Sequence, residues 1–414
     1  MKTKAYPKYK PSGVEWLGDV PEHWEVKAIK WTTPVFRGAS PRPIDDQIYF
    51  DDEGEYAWVR IADVTASNMY LEETTQRLSD IGSSLSVKMQ TGSLFLSIAG
   101  TVGMPCIANI KCCIHDGFVY FPRSKSDTKF MFYIFACGEP YKGLGKMGTQ
   151  LNLNTDTVGS IVMGFPPLPE QKAIAAFLDR ETGHIDALIA KKKKLLSLLA
   201  EQRTALISRA VTKGLNPSVK LKPSGVEWLG DVPEHWEVKR VKHIVFLRSG
   251  EGITTNDIDD TGDYPVYGGN GFRGYTSNFT HDGHYALIGR QGALCGNINY
   301  ASGKFWASEH AVVASPWKPL ATIWLGELLR LMNLNQYSIS AAQPGLAIDR
   351  IKELQIPVPP LSEQQAIAAY LDRETAKIDT LSAKVQTAIE RLREYRTALI
   401  SAAVTGKIDV REAV

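Results

Sequence analysis

An eighteen-residue segment occurs twice, without a single change, in this chain of 414 residues. KPSGVEWLGDVPEHWEVK spans Lys10 to Lys27 and returns at Lys222 to Lys239, an offset of 212 residues. An identity of this length does not arise by chance, so the chain contains an internal duplication, and a repeat decides the architecture before any secondary structure is assigned. We therefore expect two copies of one structural module.

A second pair of matching segments has a different offset. PPLPEQKAIAAFLDRETGHIDAL from Pro166 matches PPLSEQQAIAAYLDRETAKIDTL from Pro359, and EQRTALISRAVT from Glu201 matches EYRTALISAAVT from Glu394; both pairs are 193 residues apart. The change of offset from 212 to 193 must arise between the two repeated blocks, where similarity largely vanishes. Each half thus has a fixed frame around a variable insert, and we expect the inserts to carry specificity. The inserts occupy about 28–165 and 240–358.

The second repeated block has the apolar spacing of a coiled coil. Apolar residues recur every seven positions, with further ones between them, which is the pattern of a helix-pairing seam. The heptad positions are Leu178, Ile185, Leu199 and Leu206 in the first half and Leu371, Ile378, Val385, Leu392 and Leu399 in the second. We expect the seam to be completed by Leu188, Leu195, Leu381, Ala388, Tyr395 and Ala402. Lys192 on the seam and Gly183 nearby predict looser packing in the first helix.

Two long helices and two globular domains follow from these repeats. About 43 residues at roughly 1.5 Å each give a helix of about 64 Å. Two such helices can pair and set a fixed distance between the two domains. The alternative is that they form only a solvated stalk. The predicted segments are a first domain at 1–165 with frame segment 10–27, a helix at 166–213, a second domain at 214–358 with frame segment 222–239, a helix at 359–406 and a tail at 407–414.

The inserts themselves are predicted to be mixed or mainly β. Short apolar runs such as Ser93–Ala99 and His284–Gly289 are broken by Gly and Asn turns, which is typical of strands. Helices are expected at Lys129–Phe135 and Leu320–Leu331. The chain is therefore of the α+β class.

Side chains able to recognise DNA bases are abundant in the predicted loops. Arg, Asn and Gln can form paired hydrogen bonds with base edges in the major groove. The candidates are Arg60, Lys146, Gln150 and Asn152 in the first insert and Asn270, Arg273, Arg290, Gln291 and Gln343 in the second. For each of them singly, the alternative is an ordinary polar loop residue.

The charge balance argues against non-specific binding of DNA through its phosphates. The chain has a formal charge of +2. Between Ala28 and Gly164 there are 12 Lys or Arg against 14 Asp or Glu, a net −2, and between Arg240 and Pro357 there are 10 against 10. A protein that binds any duplex through its phosphates has a clear basic excess. Contact with DNA must therefore depend on local placement of charge or on a basic partner.

No catalytic or metal site is evident in the sequence. There is no Walker A lysine loop and no nuclease metal cluster, and the pair His281 and His284 is weak without a third ligand. Five cysteines without Cys-x-x-Cys spacing suggest reduced packing residues. No run of about 18 apolar residues and no secretory signal occurs, so we expect a cytoplasmic protein without membrane contact.

The two duplicated motifs resemble a known family, the specificity subunits of Type I restriction-modification systems. WLGDVPEHWEVK opens each half, and PPLPEQKAIAAFLDRET and PPLSEQQAIAAYLDRET open the two helices. The resemblance spans essentially the whole chain. It implies that each insert is a target recognition domain for one half of a split, asymmetric site in double-stranded DNA, and that the helices, paired as an antiparallel coiled coil with pseudo-twofold symmetry, set the unread spacer.

The resemblance also implies the partners. Two methyltransferase (modification) subunits would dock on the frame, bring S-adenosylmethionine and flip an adenine in each half-site. Restriction and translocase subunits, which use ATP and Mg²⁺, would complete the enzyme, so this chain would itself be non-catalytic and bind no cofactor.

Two alternatives stay open at this point. One is a coiled-coil scaffold whose near-neutral inserts bind protein. The other is a self-contained restriction enzyme, against which stands the lack of methyltransferase and nuclease motifs.

Overall fold

The computed structural model describes residues 4–141, 144, 153–292, 294–338 and 345–411. The chain divides into two compact units, the first comprising Met1–Lys192 with Thr387–Val414 and the second comprising Lys193–Gln386. Each unit contains one globular domain and a stretch of both long helices, because the division passes through the helices. The α+β class and the two-module architecture predicted from the duplication are confirmed.

The first unit holds the first frame segment and two small sheets. Its strands are β1 (Tyr9–Pro11), β2 (Asp19–Pro21), β3 (Glu25–Ala28), β4 (Phe36–Arg37), β5 (Tyr56–Val59), β6 (Tyr70–Leu71), β7 (Gln76–Leu78), β8 (Val87–Met89), β9 (Leu94–Ser97), β10 (Pro105–Ala108), β11 (Cys112–Ile114), β12 (Phe118–Tyr120) and β13 (Val162–Phe165). Its helices are α1 (Ile61–Ala66), α2 (Asp80–Ser84), α3 (Thr128–Ala136), α4 (Thr155–Ser160) and the first part of α5 (Leu168–Lys213). The insert strands form a five-stranded sheet, β4-β12-β9-β10-β6, and a four-stranded sheet, β7-β5-β11-β8.

The second unit has one larger sheet. Its strands are β14 (Leu221–Pro223), β15 (Asp231–Pro233), β16 (Glu237–Arg240), β17 (Val245–Ser249), β18 (Tyr264–Gly268), β19 (Gly271–Thr276), β20 (His281–Gly289), β21 (Ile298–Ala307), β22 (Ala311–Pro316) and β23 (Gln355–Val358). Its helices are α6 (Thr322–Leu331), α7 (Ile348–Glu353) and the first part of α8 (Leu361–Val404). The insert strands form a six-stranded sheet, β17-β22-β20-β21-β18-β19. Strands β9 and β20 and helices α3 and α6 confirm the four elements predicted inside the inserts.

In each half, the end of the first repeated block pairs with the strand that immediately precedes the second repeated block. In the first unit β3 runs antiparallel to β13, with Glu25 opposite Phe165. In the second unit β16 runs antiparallel to β23, with Glu237 opposite Val358. The variable insert therefore leaves and re-enters through one two-stranded ladder, which explains how its length can differ while the frame stays the same.

A glutamate at the start of α5 binds the frame of the first unit. The carboxylate of Glu170 accepts hydrogen bonds from the indole Nε1 of Trp24 (2.9 Å) and the hydroxyl of Tyr6 (2.7 Å), and it lies 2.8 Å from Nε2 of His23. Trp24 is fully buried and Glu170 is 7% exposed. The Glu of the helix motif and the His-Trp of the frame motif are thus contact partners, which accounts for their joint presence in both halves.

The second unit repeats these contacts with one donor fewer. Glu363 accepts from Nε1 of Trp236 (3.0 Å) and lies 2.6 Å from Nε2 of His235. Its side chain is 39% exposed, so water reaches it.

The glutamine that follows each glutamate fixes the insert to the long helix. Gln171 accepts the backbone N–H of Asp127, the residue before α3 (2.9 Å), and Gln364 accepts that of Ala321, the residue before α6 (3.2 Å). A helix start has backbone N–H groups without a partner inside the helix, and these side chains supply one. The repeated Glu-Gln pair therefore holds the frame with its first residue and the insert with its second.

The two long helices run antiparallel within each unit. In the first unit the C-terminal end of α8 reaches Trp24 at Gly406, the same tryptophan that binds the start of α5. In the second unit the end of α5 reaches Trp236 at Gly214. Both glycines have a positive φ, near +72° and +74°, as expected where a helix ends in a left-handed residue.

An ion pair joins the helices in each unit. Asp186 pairs with Arg396 (3.0 Å) in the first unit, and Asp379 pairs with Arg203 (3.1 Å) in the second. The two aspartates are 193 residues apart, as are the two arginines. Both units therefore use the same pair, with the contributing helices exchanged.

The predicted heptad positions lie on the inner side of the helices in each unit. Buried are Leu178, Ile185, Leu199, Leu371, Ile378, Val385 and Leu399, and half-buried are Leu206 and Leu392. Helix α5 continues through Gly183 and Lys192 without a break, and Lys192 is half-buried.

Four of the six expected companion positions of the seam were wrong, whereas Ala388 and Ala402 are half-buried. Leu188, Leu195, Leu381 and Tyr395 are exposed by 43, 39, 44 and 57%. Ile189 and Ile389, one residue after Leu188 and Ala388, are buried instead. At about 100° per residue, positions three and four residues after a heptad position lie on opposite sides of it. Because the sequence is apolar on both sides, periodicity alone could not tell which side is covered.

Residues 407–411 follow α8 and contact the beginning of the first unit. The backbone N–H of Asp409 donates to the carbonyl of Lys4 (2.7 Å), and Val410 is fully buried. The guanidinium of Arg411 lies over the ring of Tyr6 at 5.0 Å. The segment 407–411 therefore packs against the N-terminal residues of the first unit. Among the residues that the structure describes, no helix combines the length and apolarity needed to cross a membrane.

Candidate nucleic-acid interface

Several loops of the second domain meet at one end of its sheet. Asn270 lies in the turn between β18 and β19, and Arg273 is exposed on β19. Arg290 and Gln291 follow β20, and the backbone N–H of Arg290 donates to the carbonyl of His310 in the β21–β22 turn (2.9 Å). The structure therefore brings Asn270, Arg290 and Gln291 to neighbouring loops, while Arg273 lies within strand β19.

Two further contacts show how closely these loops approach. The guanidinium of Arg290 donates to Oγ of Ser249, at the end of β17 (3.1 Å). A Cβ atom on Gly269 would lie 2.9 Å from the carbonyl oxygen of His310 and 3.6 Å from that of Gln291, so only glycine allows this approach. We call residues 249–252, 269–270, 290–292 and 308–310 the second loop edge.

The first domain has a corresponding end. Strands β5 and β11 are parallel neighbours with Val59 opposite Ile114, so Arg60 and His115, which follow them, lie side by side. The guanidinium of Arg60 is exposed and hydrogen-bonds the side-chain oxygen of Gln76. A Cβ atom on Gly38 would lie 2.1 Å from the carbonyl oxygen of His115, and one on Gly117 would lie 3.4 Å from Cβ of Ala99, so these loops also meet here. We call residues 37–42, 60, 99–103 and 115–117 the first loop edge.

The two loop edges occupy equivalent places in their domains. Each lies where a pair of parallel strands ends, β5 with β11 and β18 with β21. Gly38 donates its N–H to the carbonyl of Phe118 at the start of β12, and Gly250 donates to that of Ala311 at the start of β22, both at 2.9 Å. These glycines are 212 residues apart. Inserts without evident sequence similarity thus present loops at the same position of a common fold.

A carboxylate at the first loop edge gathers residues that the sequence did not indicate. Asp116 accepts hydrogen bonds from Nη2 of Arg42 (2.9 Å) and Oγ of Ser40 (3.0 Å), and its backbone carbonyl accepts from Nε of Arg37. Partial burial acts to raise the pKa of Asp116, but the Ser40 hydrogen bond and the charges of Arg42 and Arg37 outweigh it and lower that pKa. The carboxylate is therefore ionised at neutral pH.

This cluster shows how an insert without a basic excess can still present local positive charge to DNA. Arg37, Arg42 and Arg60 lie at one edge of an insert whose net charge is −2. Arg42 and Asp116 are 74 residues apart in the sequence, so no local motif indicates that they are in contact. Only the fold concentrates the positive charge.

His115 completes the first loop edge as a neutral group. Burial lowers its pKa, and the charges of Arg37 and Arg60 lower it further. Asp116 acts to raise it, but its effect is smaller. Its Nδ1 accepts the backbone N–H of Gly117 (2.8 Å), and its ring packs against Phe118 at 4.7 Å. The proton of the neutral ring is therefore on Nε2.

Four of the candidate residues lie outside the described part of the chain: Lys146, Gln150, Asn152 and Gln343. Their relation to the loop edges is therefore not tested, and they stay predictions.

Side chains suited to catalysis are engaged in structural contacts. All five cysteines are buried, and burial raises the pKa of Cys106, Cys112 and Cys113 to about 12 each, so these thiols are poor nucleophiles. His281 contacts Thr280 and His284 contacts Ser302. Within the described ranges no group of three or more His, Cys, Asp or Glu side chains could hold a metal ion.

Comparisons with known proteins agree with the internal repeat. The family model of the Type I restriction modification DNA specificity domain matches residues 21–197 and 233–391. The EcoprrI specificity subunit of Escherichia coli is 29% identical over 353 residues, which cover 82% of this chain and 84% of that protein. The MjaVIII specificity subunit of Methanocaldococcus jannaschii is 21% identical and covers 95% of this chain and 94% of its own length.

Solved structures show the same fold. A chain from a type I R-M system, studied for its complex assembly and conformational transition, superposes with a TM-score of 0.69 at 16% identity and covers 94% of this chain and 99% of its own. The HsdS subunit from Thermoanaerobacter tengcongensis gives a TM-score of 0.55 at 16% identity, with 94% and 98% covered. Since the family model matches both halves and most of the chain, this protein belongs to the Type I restriction-modification specificity subunits, with one DNA specificity domain in each half.

Proposed function

We propose that each loop edge contacts one half of a bipartite, asymmetric DNA site and reads its bases. The observation that carries this proposal is the equivalent placement of the two loop edges on one repeated frame, with different side chains on each. Arg60 at the first edge and Asn270, Arg290 and Gln291 at the second are of the residue types that bond base edges in pairs. A split site with two unlike halves requires different recognition loops held at equivalent positions of the repeated frame.

The chain would supply specificity and leave the chemistry to its partners. Modification subunits would bring S-adenosylmethionine and methylate an adenine in each half-site, and restriction and translocase subunits would use ATP and Mg²⁺. The buried thiols and structurally engaged histidines support a non-catalytic role. Action on cellular DNA would place the complex in the cytoplasm.

Paired surfaces on the long helices support docking of two modification subunits. A groove of 530 Å³ lies on the last turns of α5 beside Ala205 and Ser208, and one of 660 Å³ lies on α8 beside Ala398 and Ser401. These positions are 193 residues apart in both cases. Leu188, Leu195, Leu381 and Tyr395 add exposed apolar surface to the helices. A large contiguous apolar patch on a protein surface commonly marks a protein contact.

The docking proposal predicts a stepwise loss of stoichiometry. Ser208→Arg or Ser401→Arg should each reduce bound modification subunits from two to one by filling one groove, and the double variant should bind none. Native mass spectrometry of co-expressed subunits would measure this. Ser197→Arg, at an exposed position of α5, is the control, and two bound subunits in the double variant would contradict the proposed grooves.

The continuous helices support a fixed spacer. Helix α5 has 46 residues and α8 has 44, and both extend through the boundary between the compact units. We propose that their length sets the number of unread base pairs between the two half-sites.

Exchange of one insert tests the recognition proposal. Residues 240–357 would be replaced by the corresponding insert of another specificity subunit, with the frame and helices kept, because β16 and β23 close the insert at one ladder. The methylated sequence should change in one half-site only, and the reciprocal exchange of 28–164 should change the other. An assembled complex whose methylated sequence is unaltered would favour a scaffold whose inserts bind protein.

A further inference from the structure

Arg42 combines high exposure with a fixed position. Its side chain is 71% exposed, and its described contact is a single hydrogen bond from Nη2 to the carboxylate of Asp116, which is 38% exposed. That carboxylate is itself held by the hydroxyl of Ser40 (3.0 Å). The chain of contacts orients the guanidinium without covering it.

A guanidinium held in this way keeps most of its hydrogen-bonding capacity. Arginine has five N–H donors in a planar fork, and the contact with Asp116 uses one. Two parallel donors match the O6 and N7 acceptors that guanine presents in the major groove. The fork therefore remains available for a base with two neighbouring acceptors.

The neighbouring carboxylate argues for a base and against a phosphate. A negative charge next to a phosphate is repelled, and it cancels much of the attraction that the arginine would exert on the backbone. A base edge carries no net charge, so the carboxylate costs less there than beside a phosphate, and it fixes the direction of the fork. Arg290 at the second loop edge differs, because the neutral hydroxyl of Ser249 holds it.

We propose that Arg42, positioned by Asp116, recognises a guanine in the half-site of the first domain. Arg42 is the specificity-determining residue and Asp116 is a positioning residue. The inference rests on the proposed recognition of one half-site by each domain.

The test measures base preference and salt dependence in the complete methyltransferase complex. Insert exchange first identifies the half-site of the first domain, and binding is then measured for DNA with each base pair at every position of that half-site. Arg42→Ala should reduce the preference for guanine at one position by about 5- to 150-fold. The slope of log K against log salt should stay unchanged, because no phosphate contact is lost.

Two further variants separate a base contact from a backbone contact. Arg42→Lys keeps the charge but loses the planar fork, so it should weaken the guanine preference less than Arg42→Ala does, because an ammonium can still donate to guanine O6 or N7. Asp116→Asn should weaken the same preference while raising affinity for unrelated DNA. Arg240→Ala is the matched control, since that arginine is 51% exposed and also pairs with a carboxylate, Glu353, at 3.0 Å.

The outcomes distinguish the inference from the function on which it rests. If the wild-type complex has no sequence preference that depends on this chain, the proposed function fails. If it has one, but Arg42→Ala weakens binding to all sequences equally and lowers the salt slope by about 0.9, Arg42 contacts a phosphate and the inference is overturned. Unaltered base preference in a folded Arg42→Ala variant overturns it as well.

Discussion

Replacement of Glu170 by alanine should destabilise the first unit far more than the equivalent change destabilises the second. The Glu170 carboxylate is 7% exposed and accepts hydrogen bonds from Tyr6 and Trp24, which are themselves 4% and 0% exposed. Alanine leaves both donors without this acceptor. At Glu363 the carboxylate is 39% exposed and accepts from one indole and an exposed histidine.

The magnitudes follow from these contacts. Hydrogen bonds to a charged group contribute about 1.5–3 kcal/mol each, and a buried donor left unpaired costs about 1–3 kcal/mol. With two buried donors, Glu170→Ala should cost about 3–5 kcal/mol of unfolding free energy. Water can replace the exposed Glu363, so Glu363→Ala should cost about 1–2 kcal/mol. For domains of about 150–250 residues the corresponding decreases in Tm are about 6–20 °C and 2–8 °C.

Thermal unfolding of the full chain measures the difference. Glu170→Ala and Glu363→Ala would be compared with wild type by calorimetry and by circular dichroism, with Glu201→Ala as an exposed control on α5. The control should stay within about 0.5 kcal/mol of wild type. Equal decreases in Tm for the two frame variants would refute the argument that burial and the extra donor set the cost.

Three further predictions concern pH, the helix seam and a close backbone approach. Burial lowers the pKa of His115, so the unfolded state binds protons more readily once the pH falls below the ordinary value of 6.5. The unfolding free energy should therefore be highest above that pH and decrease below it, with a smaller decrease in His115→Asn, in urea titrations at about pH 7.5 and 5.5. Leu371→Ala should cost about 2–5 kcal/mol because the side chain is 1% exposed, whereas Leu381→Ala, 44% exposed, should cost under about 0.5 kcal/mol in the same titration. Gly250→Ala should lower Tm markedly, because its Cβ would lie 2.1 Å from a backbone carbonyl oxygen. Gly252→Ala should leave Tm unchanged, because no atom lies within 4 Å of the added Cβ. Equal decreases in Tm for the two variants would contradict the close approach at Gly250.

The repeats made the frame predictable from the sequence. Two offsets, 212 and 193, separated the constant blocks from the inserts, and β3 with β13 and β16 with β23 form the ladders at those borders. Long-range repetition is informative here because a ladder and a helix pair both require matched partners. The reason that Glu170 accompanies Trp24 became visible only in the fold, since they are 146 residues apart.

The loop edges were less predictable than the frame. Arg60 and Asn270 were chosen by residue type, and the structure places both at the ends of parallel strand pairs. Arg42 was missed because its partner Asp116 is distant in sequence and because arginine beside proline carries no signal of its own. Side chains at such an edge are brought together by strand register, which residue type does not encode.

Methylation mapping of a host genome tests the central claim most directly. The matching modification subunit would be present throughout, and the chain would be present or absent. A split motif with methylated adenines in both halves should appear only when the chain is present. An identical methylation pattern in both cases, with the modification subunit shown to be active, would contradict the assignment of sequence specificity to this chain.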